Sequence, residues 1–352
     1  GKEVPNIVAK MDVGAEKDVA IVSHYDVVPA EGPWTVDNIT FDPFDPVEHN
    51  GKIYGRGASD NKSGVACTLA AFKELAGKEL RYNPVAVIVG DEEVGGTGIR
   101  EVLDLGLKVD GALILDSLAD YVEVGATGVV NGWIRVYGKG GHAGYPHLCI
   151  NPVWGISKLI VELKQFASQR AAKILDVPAP PGAPIPKMWG RFSVTMLRAG
   201  SKHNVIPNMA EAGFDLRIIP GEPVEEALDE LISYFNKSRE KLDLRAELII
   251  DEKSINTGWL TDKDHPIVRE AYLSAKKAYD EVYVGQGKEF QGLAAGLGAD
   301  DGYYFSNKGI PTVGFGPIRV ENNIHGKNEF VYINDLLLVI EFLKNFFSES
   351  ES

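Results

Sequence analysis

Residues 86–96 read AVIVGDEEVGG, so a run of small and branched apolar residues leads directly into three consecutive acids. Two further stretches have the same form. DVAIVSHYD (residues 18–26) and DGALILDS (residues 110–117) are short apolar runs that end in acids or a histidine. Continuous apolar runs of this length are typical of strands buried on both faces of a parallel sheet. The three stretches therefore predict buried strands with polar side chains at their carboxyl ends.

Helical patterns lie between these predicted strands. SGVACTLAAFKELAG (63–77) and GTGIREVLDLGL (96–107) carry apolar residues at helical spacing, and Gly77 is a suitable helix stop. Buried strands that alternate with helices predict an α/β fold with a mainly parallel sheet flanked by helices. Ligands of such folds collect at the carboxyl ends of the strands, which is where the acids lie.

The pattern changes after Gly125. GVVNGWIRVYG (128–138) alternates like a half-exposed strand, and the segment that it opens has the order β-α-β-β-α-β, which predicts an antiparallel layer covered by helices. A Pro-rich stretch at 176–187 cannot be helical. The first pattern then returns. We therefore predict one α/β domain, formed by residues 1–124 and 252–352, which is interrupted by an inserted domain at 125–251.

The chain of 352 residues has a net charge of -14, from 36 Lys and Arg against 50 Asp and Glu. A surface of this sign repels phosphate backbones, so nucleic acid is not an expected partner. No apolar stretch approaches the roughly 20 residues needed to span a bilayer, so no membrane association is expected. Cys67 and Cys149 belong to no spaced framework, which favours a reducing compartment and a cytoplasmic location.

Several residues at or near predicted strand ends have side chains that bind metals: His24, Asp26, Asp60, Asp116 and His325. Each of them alone has a structural alternative. The His24 and Asp26 pair could be a surface turn. Asp60 and Asp116 could cap helices or turns, and His325 could be a structural histidine. If His24 binds a metal, Asp26 could orient its ring by a hydrogen bond.

Glu92 and Glu93 are harder to explain as solvated acids at the mouth of a loop. Adjacent residues of an extended strand point to opposite sides, so one carboxylate can bind a metal while its neighbour reaches toward bound water. Imidazole and carboxylate ligands without cysteine suit Zn²⁺, Co²⁺ or Mn²⁺. A carboxylate that bridges two ions would explain why so many acids lie together.

The sequence resembles the co-catalytic zinc peptidases and deacylases, a family that includes glutamate carboxypeptidase, aminoacylase, acetylornithine deacetylase and succinyl-diaminopimelate desuccinylase. The resemblance runs in order through VAIVSHYDVVPA, GRGASDNKSG, GDEEVGG, LILD, GKGGHAGYPH and IHGKNE. It implies a catalytic domain of the zinc exopeptidase type, with a ferredoxin-like α+β insert that acts as lid and dimerisation domain. It also implies two divalent metal ions, zinc with cobalt or manganese as alternatives, and a homodimer.

The resemblance further implies a role for each residue of the site. The metal ligands form one pair for each ion and one bridging carboxylate: His24 with Asp116, Glu93 with His325, and Asp60 as the bridge. Glu92 is the implied general base, and Asp26 steadies His24. His142 of GKGGHAGYPH matches a histidine that helps to stabilise the oxyanion in the partner subunit.

Three more residues are implied to bind substrate. Asn204 in HNVIP and Arg217 in FDLRI match positions that bind a free α-carboxylate, although each alone could be a turn residue or a surface charge. Tyr303 stands in DDGYYF where the desuccinylases carry an arginine, so a cation for a second substrate carboxylate is missing there.

Together with these patterns, the resemblance implies a metal-dependent hydrolase of peptide or linear amide C–N bonds. The leading interpretation is release of an amino acid with a free α-carboxylate from a small peptide or N-acyl amino acid, by a metallo-carboxypeptidase or an N-acyl-amino-acid deacylase. A biosynthetic deacylase for acetylornithine or succinyl-diaminopimelate is the alternative. A non-catalytic metal-binding scaffold is a remote one, because a scaffold needs no general base such as Glu92.

Overall fold

The computed structural model describes residues 4–349, which fall into two compact units. The first unit holds the described residues up to Ala126, the segment Pro178–Pro186, and the described residues from Trp259 onward. The second unit holds Thr127–Val177 and Lys187–Gly258.

The described residues form strands and helices as follows. The strands are β1 (Ile7–Lys10), β2 (Asp18–His24), β3 (Trp34–Val36), β4 (Ile39–Phe41), β5 (Val47–His49), β6 (Lys52–Tyr54), β7 (Asn83–Val89), β8 (Gly111–Ile114), β9 (Val122–Tyr137), β10 (Gly141–His142), β11 (Ile174–Pro178), β12 (Lys187–Trp189), β13 (Arg191–Ala199), β14 (Val205–Ile206), β15 (Met209–Ile218), β16 (Ala246–Ile250), β17 (Asn256–Leu260), β18 (Leu293–Gly296), β19 (Thr312–Gly314) and β20 (Phe330–Tyr332). The α-helices are α1 (Lys62–Leu75), α2 (Thr97–Asp104), α3 (Pro152–Ala171), α4 (Val224–Lys241), α5 (Pro266–Val282), α6 (Gly302–Asn307) and α7 (Ile333–Phe347).

The sheet of the first unit contains β1, β7, β2, β8 and β19, in that order. Four of these strands run parallel, and β1 pairs with β7 in the antiparallel direction. The first residues of β9 extend the sheet beside β19 and pair with β18 in parallel. The predicted α/β fold with a mainly parallel sheet is confirmed.

Continuous apolar strands form the core of this unit. All seven residues of β7 are buried, and Val22 and Val87 of the sheet pack with Ile99 of α2 and Phe305 of α6. Each fully buried Val or Ile side chain contributes about 1.5–3 kcal/mol to folding. Burial on both faces therefore holds the strand ends in fixed register, which matters for the side chains that follow them.

The second unit has the predicted β-α-β-β-α-β order. Its strands lie in the order β16, β9, β15 and β13, and all neighbours pair antiparallel. Numbered along the chain, this is the order 4-1-3-2 of a ferredoxin-like sheet. α3 and α4 pack on the sheet through a shared apolar core that includes Ile134, Leu159, Phe214 and Leu231. The predicted ferredoxin-like insert is confirmed as a fold.

The division between the units differs from the predicted one in detail. The chain passes between them at Ala126/Thr127 and Gly258/Trp259, against the predicted boundaries 124/125 and 251/252. The Pro-rich segment Pro178–Pro186 lies with the first unit, although the sequence places it inside the insert. Among residues 4–349, no helix is both long enough and apolar enough to cross a membrane.

Candidate metal and catalytic site

Three neighbouring parallel strands deliver polar side chains to one edge of the first unit's sheet. His24 is the last residue of β2, Asp116 follows β8 by two residues, and Glu92 and Glu93 follow β7. The strand order β7, β2, β8 makes these ends adjacent. Residues that lie far apart in the sequence therefore meet at the carboxyl edge of the sheet, as the pattern of strand ends predicts.

The turn after β7 differs from the expected extended chain. Glu92–Val94 is a single turn of 3₁₀ helix, entered through Asp91 at φ 63°. The interpretation of Glu92 and Glu93 as extended neighbours is therefore wrong. A 3₁₀ helix has three residues per turn, so successive side chains diverge by about 120° instead of 180°. The two carboxyl groups still reach different partners. Asp91 supports the turn, since its carboxylate accepts a hydrogen bond from Thr97 Oγ1 at 2.8 Å.

Asp26 holds both the turn and the first histidine. Its carboxylate oxygens accept hydrogen bonds from the backbone amides of Glu92 (3.3 Å) and Glu93 (3.2 Å). Asp26 Oδ1 also lies 3.3 Å from His24 Nδ1. With Nδ1 facing Asp26, Nε2 of the same ring faces the other acids. Asp26 therefore fixes the His24 ring and the backbone of Glu92 and Glu93 relative to one another.

Asp60 lies between the two histidines. One of its oxygens is 3.0 Å from His24 Nε2, and the other is 3.1 Å from His325 Nε2. Asp116 Oδ2 lies 3.8 Å from the same His24 nitrogen, and Glu93 Oε2 lies 3.1 Å from His325 Nε2. Ligand atoms of His24, Glu92 and Asp116 form one group, and those of Asp60, Glu93 and His325 form another, each within 4.8 Å. Asp60 is the carboxylate with an oxygen on each side.

A buried acid that the sequence analysis missed fixes the backbone at Asp60. Glu329 is fully buried and accepts hydrogen bonds from the amides of Ser59 (2.9 Å) and Asp60 (3.1 Å). Its other oxygen accepts from Gly57 N at 3.2 Å and forms an ion pair with buried Arg56. Glu329 is part of the motif IHGKNE, but no pattern distinguishes a buried acid of this kind from a solvated one.

The pKa values of two acids and one histidine of the site are raised above their ordinary values. Burial, with the negative charges of Asp116 and Asp301, raises the pKa of Glu92 to about 9. Burial also raises the pKa of Asp116 well above its ordinary value, and Asp60 adds to this. For His24, burial alone would lower the pKa, but the carboxylates of Asp26 and Asp60 outweigh it and raise the pKa to about 12.

These residues fit divalent metal ions. Each group offers one imidazole and two carboxyl groups, without cysteine, a donor set that suits Zn²⁺, Co²⁺ or Mn²⁺. A cation beside Glu92 and Asp116 would favour the ionised forms of two carboxyl groups whose pKa values are raised first by burial and then by neighbouring negative charges. The structure thus contains two candidate ligand groups for divalent metal ions.

Asp301 is a second residue that the sequence analysis missed. It precedes α6 and is 5 % exposed. Burial raises its pKa to about 7, although the charge of His24 opposes this shift. Asp301 is thus a further buried acid within electrostatic range of His24 and Glu92. Tyr303, two residues later, is half-buried with its ring centroid 4.5 Å from that of Tyr304.

The remaining predicted residues, His142, Asn204 and Arg217, all lie in the second unit. His142 is exposed in β10, and its Nδ1 accepts a hydrogen bond from Gly144 N at 3.0 Å. The backbone oxygen of Asn204 accepts from Ala143 N at 3.0 Å, so His142 and Asn204 are near neighbours. Arg217 Nε donates to Asp215 at 2.9 Å. The roles of these residues stay predictions.

Comparison with known proteins finds a matching family, similar sequences and similar folds. Residues 20–349 match the family described as Peptidase family M20/M25/M40. An uncharacterized metallohydrolase from Methanocaldococcus jannaschii is 30% identical over 369 residues, covering 97% of this chain and 83% of that protein. A succinyl-diaminopimelate desuccinylase from a Sulfurovum species is 29% identical over 337 residues, covering 93% and 82%. A metallo-carboxypeptidase from Sulfolobus solfataricus has the same fold, with a TM-score of 0.77 at 21% identity over 98% of this chain and 88% of that one.

Proposed function

Because the chain belongs to the peptidase family M20/M25/M40 and is a metal-dependent hydrolase of peptide or amide bonds, we propose that it releases an amino acid with a free α-carboxylate. It would act as a metallo-carboxypeptidase or an N-acyl-amino-acid deacylase. The observation that carries this proposal is Asp60, which directs one oxygen toward His24 and the other toward His325. A carboxylate shared in this way suits a pair of metal ions that act together on one substrate.

The proposed metal site uses five residues. One ion would be held by His24 and Asp116, the other by Glu93 and His325, with Asp60 between them. We propose zinc, with cobalt or manganese as alternatives. When bound, such ions lower the pKa of water and polarise the amide carbonyl.

Glu92 is the proposed general base. It lies in the group with His24 and Asp116 but is not needed to complete the five ligands. Its carboxylate would take a proton from the attacking water and deliver it to the nitrogen of the leaving amine. Asp26 would keep Glu92 in place through the backbone hydrogen bond described above, so that the proton is transferred at a fixed position.

We also propose roles for three residues of the second unit, as the resemblance to the zinc peptidases and deacylases implies. Asn204 and Arg217 would bind the free α-carboxylate, and a guanidinium group suits this because it can form two parallel hydrogen bonds. His142 would stabilise the oxyanion in the partner subunit of a homodimer. β13 supports this assembly, since within the described residues it pairs with β15 alone and exposes Met196 and Leu197.

A biosynthetic deacylase is the second candidate. The 29% identity to a succinyl-diaminopimelate desuccinylase favours it. Tyr303 weighs against a strict desuccinylase, because a neutral side chain occupies the position of the cation that would bind a second carboxylate.

Metal reconstitution and a substrate panel test the proposed function. The protein is stripped with a chelator, reloaded with Zn²⁺, Co²⁺ or Mn²⁺, and assayed on dipeptides, N-acetyl amino acids and N-succinyl amino acids. We expect hydrolysis only after reloading, with a free amino acid as a product. Reloaded protein that binds metal but hydrolyses none of these compounds would support a non-catalytic scaffold instead.

A further inference from the structure

A cavity of about 490 Å³ lies in the first unit beside the candidate metal site. Asp116 belongs to both places, since it lines the cavity and groups with His24 and Glu92. In an inference that rests on the proposed function, we propose that this cavity receives a substrate side chain that carries an ammonium or guanidinium group.

Most of the cavity wall is apolar. It includes Leu118, Ile318, Val320 and Ile324, together with the Pro-rich turn 180–184. Long basic side chains bury their methylene stems against surfaces of this kind while their charged ends seek polar partners. The wall therefore fits the stem of a lysine-like or arginine-like side chain.

Two further acids supply polar partners for the charged end. Glu123 and Asp300 line the cavity, and Glu123 is 5 % exposed. Asp300 accepts hydrogen bonds from Trp259 Nε1 (2.8 Å) and Gly302 N (2.6 Å), which hold it in place. Among the described residues, this lining contains no lysine, arginine or histidine. The two acids are hydrogen-bonded to each other, and burial raises the pKa of both, so a cationic ligand beside them would favour their ionised forms.

The neighbouring strands leave room for the Glu123 carboxyl group. A Cβ atom at Gly296 of β18 would collide with that carboxyl group, and one at Gly314 of β19 would lie 3.0 Å from the Glu123 Cβ atom. A larger residue at Gly296 would therefore displace the acid. Glycine at these two positions makes the buried carboxyl group a fixed part of the cavity.

The hydroxyl group of Tyr121 is a second observation, independent of the acids, that favours a bound ligand. Tyr121 is 1 % exposed and lines the cavity, and its Oη has no hydrogen-bond partner within residues 4–349. Buried polar atoms in native proteins are nearly always hydrogen-bonded. An ammonium or guanidinium group carries several donors, so a ligand in this cavity could supply the partner that the Tyr121 hydroxyl group lacks.

Matched substrates test the inference. The substrates are compared on the metal-loaded enzyme in two pairs. Nα-acetyl-lysine, which keeps its side-chain ammonium group, is compared with N-acetyl-norleucine, and Lys-Ala is compared with norleucyl-alanine. In at least one pair we expect kcat/KM to favour the cationic member about tenfold or more, as a buried charged hydrogen bond would. Glu123→Gln should lose this preference and keep its rate on the neutral member. Glu289→Gln, which removes an exposed acid elsewhere, should keep the preference. Equal kcat/KM within both pairs would overturn the inference.

Two further measurements separate the inference from its premise. If Glu123→Gln does not fold by circular dichroism, Asp300→Asn and Tyr121→Phe replace it, and each should reduce the preference. If no compound is hydrolysed, the proposed function fails, and calorimetry then decides the cavity's ligand. Tighter binding of N-acetyl-lysine or Lys-Ala than of the norleucine counterpart supports the inference, and the absence of any difference overturns it.

Discussion

The carboxylate of Asp26 accepts a hydrogen bond from the backbone amide of Glu93 at 3.2 Å. The same carboxylate faces His24 Nδ1, so one acid connects the end of β2 with the turn after β7. His24 and Glu93, the two residues that Asp26 contacts in this way, are both proposed metal ligands. A change at Asp26 should therefore disturb the metal site without removing a ligand.

Asp26→Asn tests this connection. The amide keeps one acceptor oxygen but loses the charge and the second acceptor. We expect metal affinity or kcat/KM to fall about 10-fold to 100-fold, the usual effect of losing a residue that orients a metal-binding histidine. Metal titration and steady-state kinetics measure it. Asp37→Asn is the matched control, since Asp37 forms an exposed pair with His49 at 2.8 Å. Equal effects of the two changes would contradict the connecting role.

Glu92→Gln should separate metal binding from proton transfer. We expect kcat to fall by about 100-fold to 10,000-fold, as is usual when a general base is lost, while the metal content stays that of the wild type. Glu93→Gln should lose metal as well as activity, because Glu93 is a proposed ligand. Elemental analysis and kinetics of both variants distinguish the roles. A Glu92→Gln variant that binds less metal would make Glu92 a ligand instead.

The positions of the site residues could be predicted where they depend on local patterns. Continuous apolar runs gave the buried strands, and the polar residues that follow them meet because parallel strands end at one edge. The 3₁₀ turn at Glu92 could not be predicted in this way. It depends on tertiary hydrogen bonds that the backbone amides of Glu92 and Glu93 donate to the carboxylate of Asp26, which lies more than sixty positions earlier in the chain.

The burial of the Glu329 side chain could not be predicted from the sequence either. Glu329 becomes a buried acceptor only because Arg56 and the amides around Asp60, some 270 positions away, pack against it. The Pro-rich segment Pro178–Pro186 is a similar case. Its place in the sequence suggests the insert, whereas its contacts belong to the first unit.

Glu329→Gln should destabilise the protein strongly. The change leaves the Arg56 guanidinium buried without its carboxylate, and breaking a buried ion pair on one side costs about 3–5 kcal/mol. Urea denaturation followed by circular dichroism measures the free energy of unfolding. Asp104→Asn breaks the exposed pair with Lys308 and should change stability by no more than about 1 kcal/mol. A loss as small as this for Glu329→Gln would count against its role in holding the Asp60 backbone.

Stability should also depend on pH through Glu222 in the second unit. Burial alone would raise the pKa of Glu222, but hydrogen bonds from Arg170 and Lys173 outweigh it and lower the pKa below its ordinary value of 4.5. Both Arg170 contacts are 2.7 Å long. A depressed pKa in the folded state adds stability above the unfolded pKa, and this is lost as the pH falls through the folded pKa.

The free energies of unfolding of wild type and Glu222→Gln, measured across pH, check this. We expect a large difference near neutral pH that shrinks below about pH 4.5, as the wild-type carboxylate becomes protonated. Glu226→Gln, on the exposed first turn of α4, should show little difference at any pH. A Glu222→Gln difference that stays constant in acid would refute the assignment.

Tyr303→Arg tests the choice between the two candidate functions. Tyr303 lies in the first turn of α6, two residues after buried Asp301, and its ring packs against Tyr304. Arginine there would add a cation for a second substrate carboxylate. We expect the ratio of kcat/KM on N-succinyl over N-acetyl amino acids to rise about tenfold or more. Tyr303→Phe, which removes only the hydroxyl, should leave the ratio unchanged. If Tyr303→Arg keeps its metal and its N-acetyl activity but the ratio does not move, position 303 does not select the acyl group.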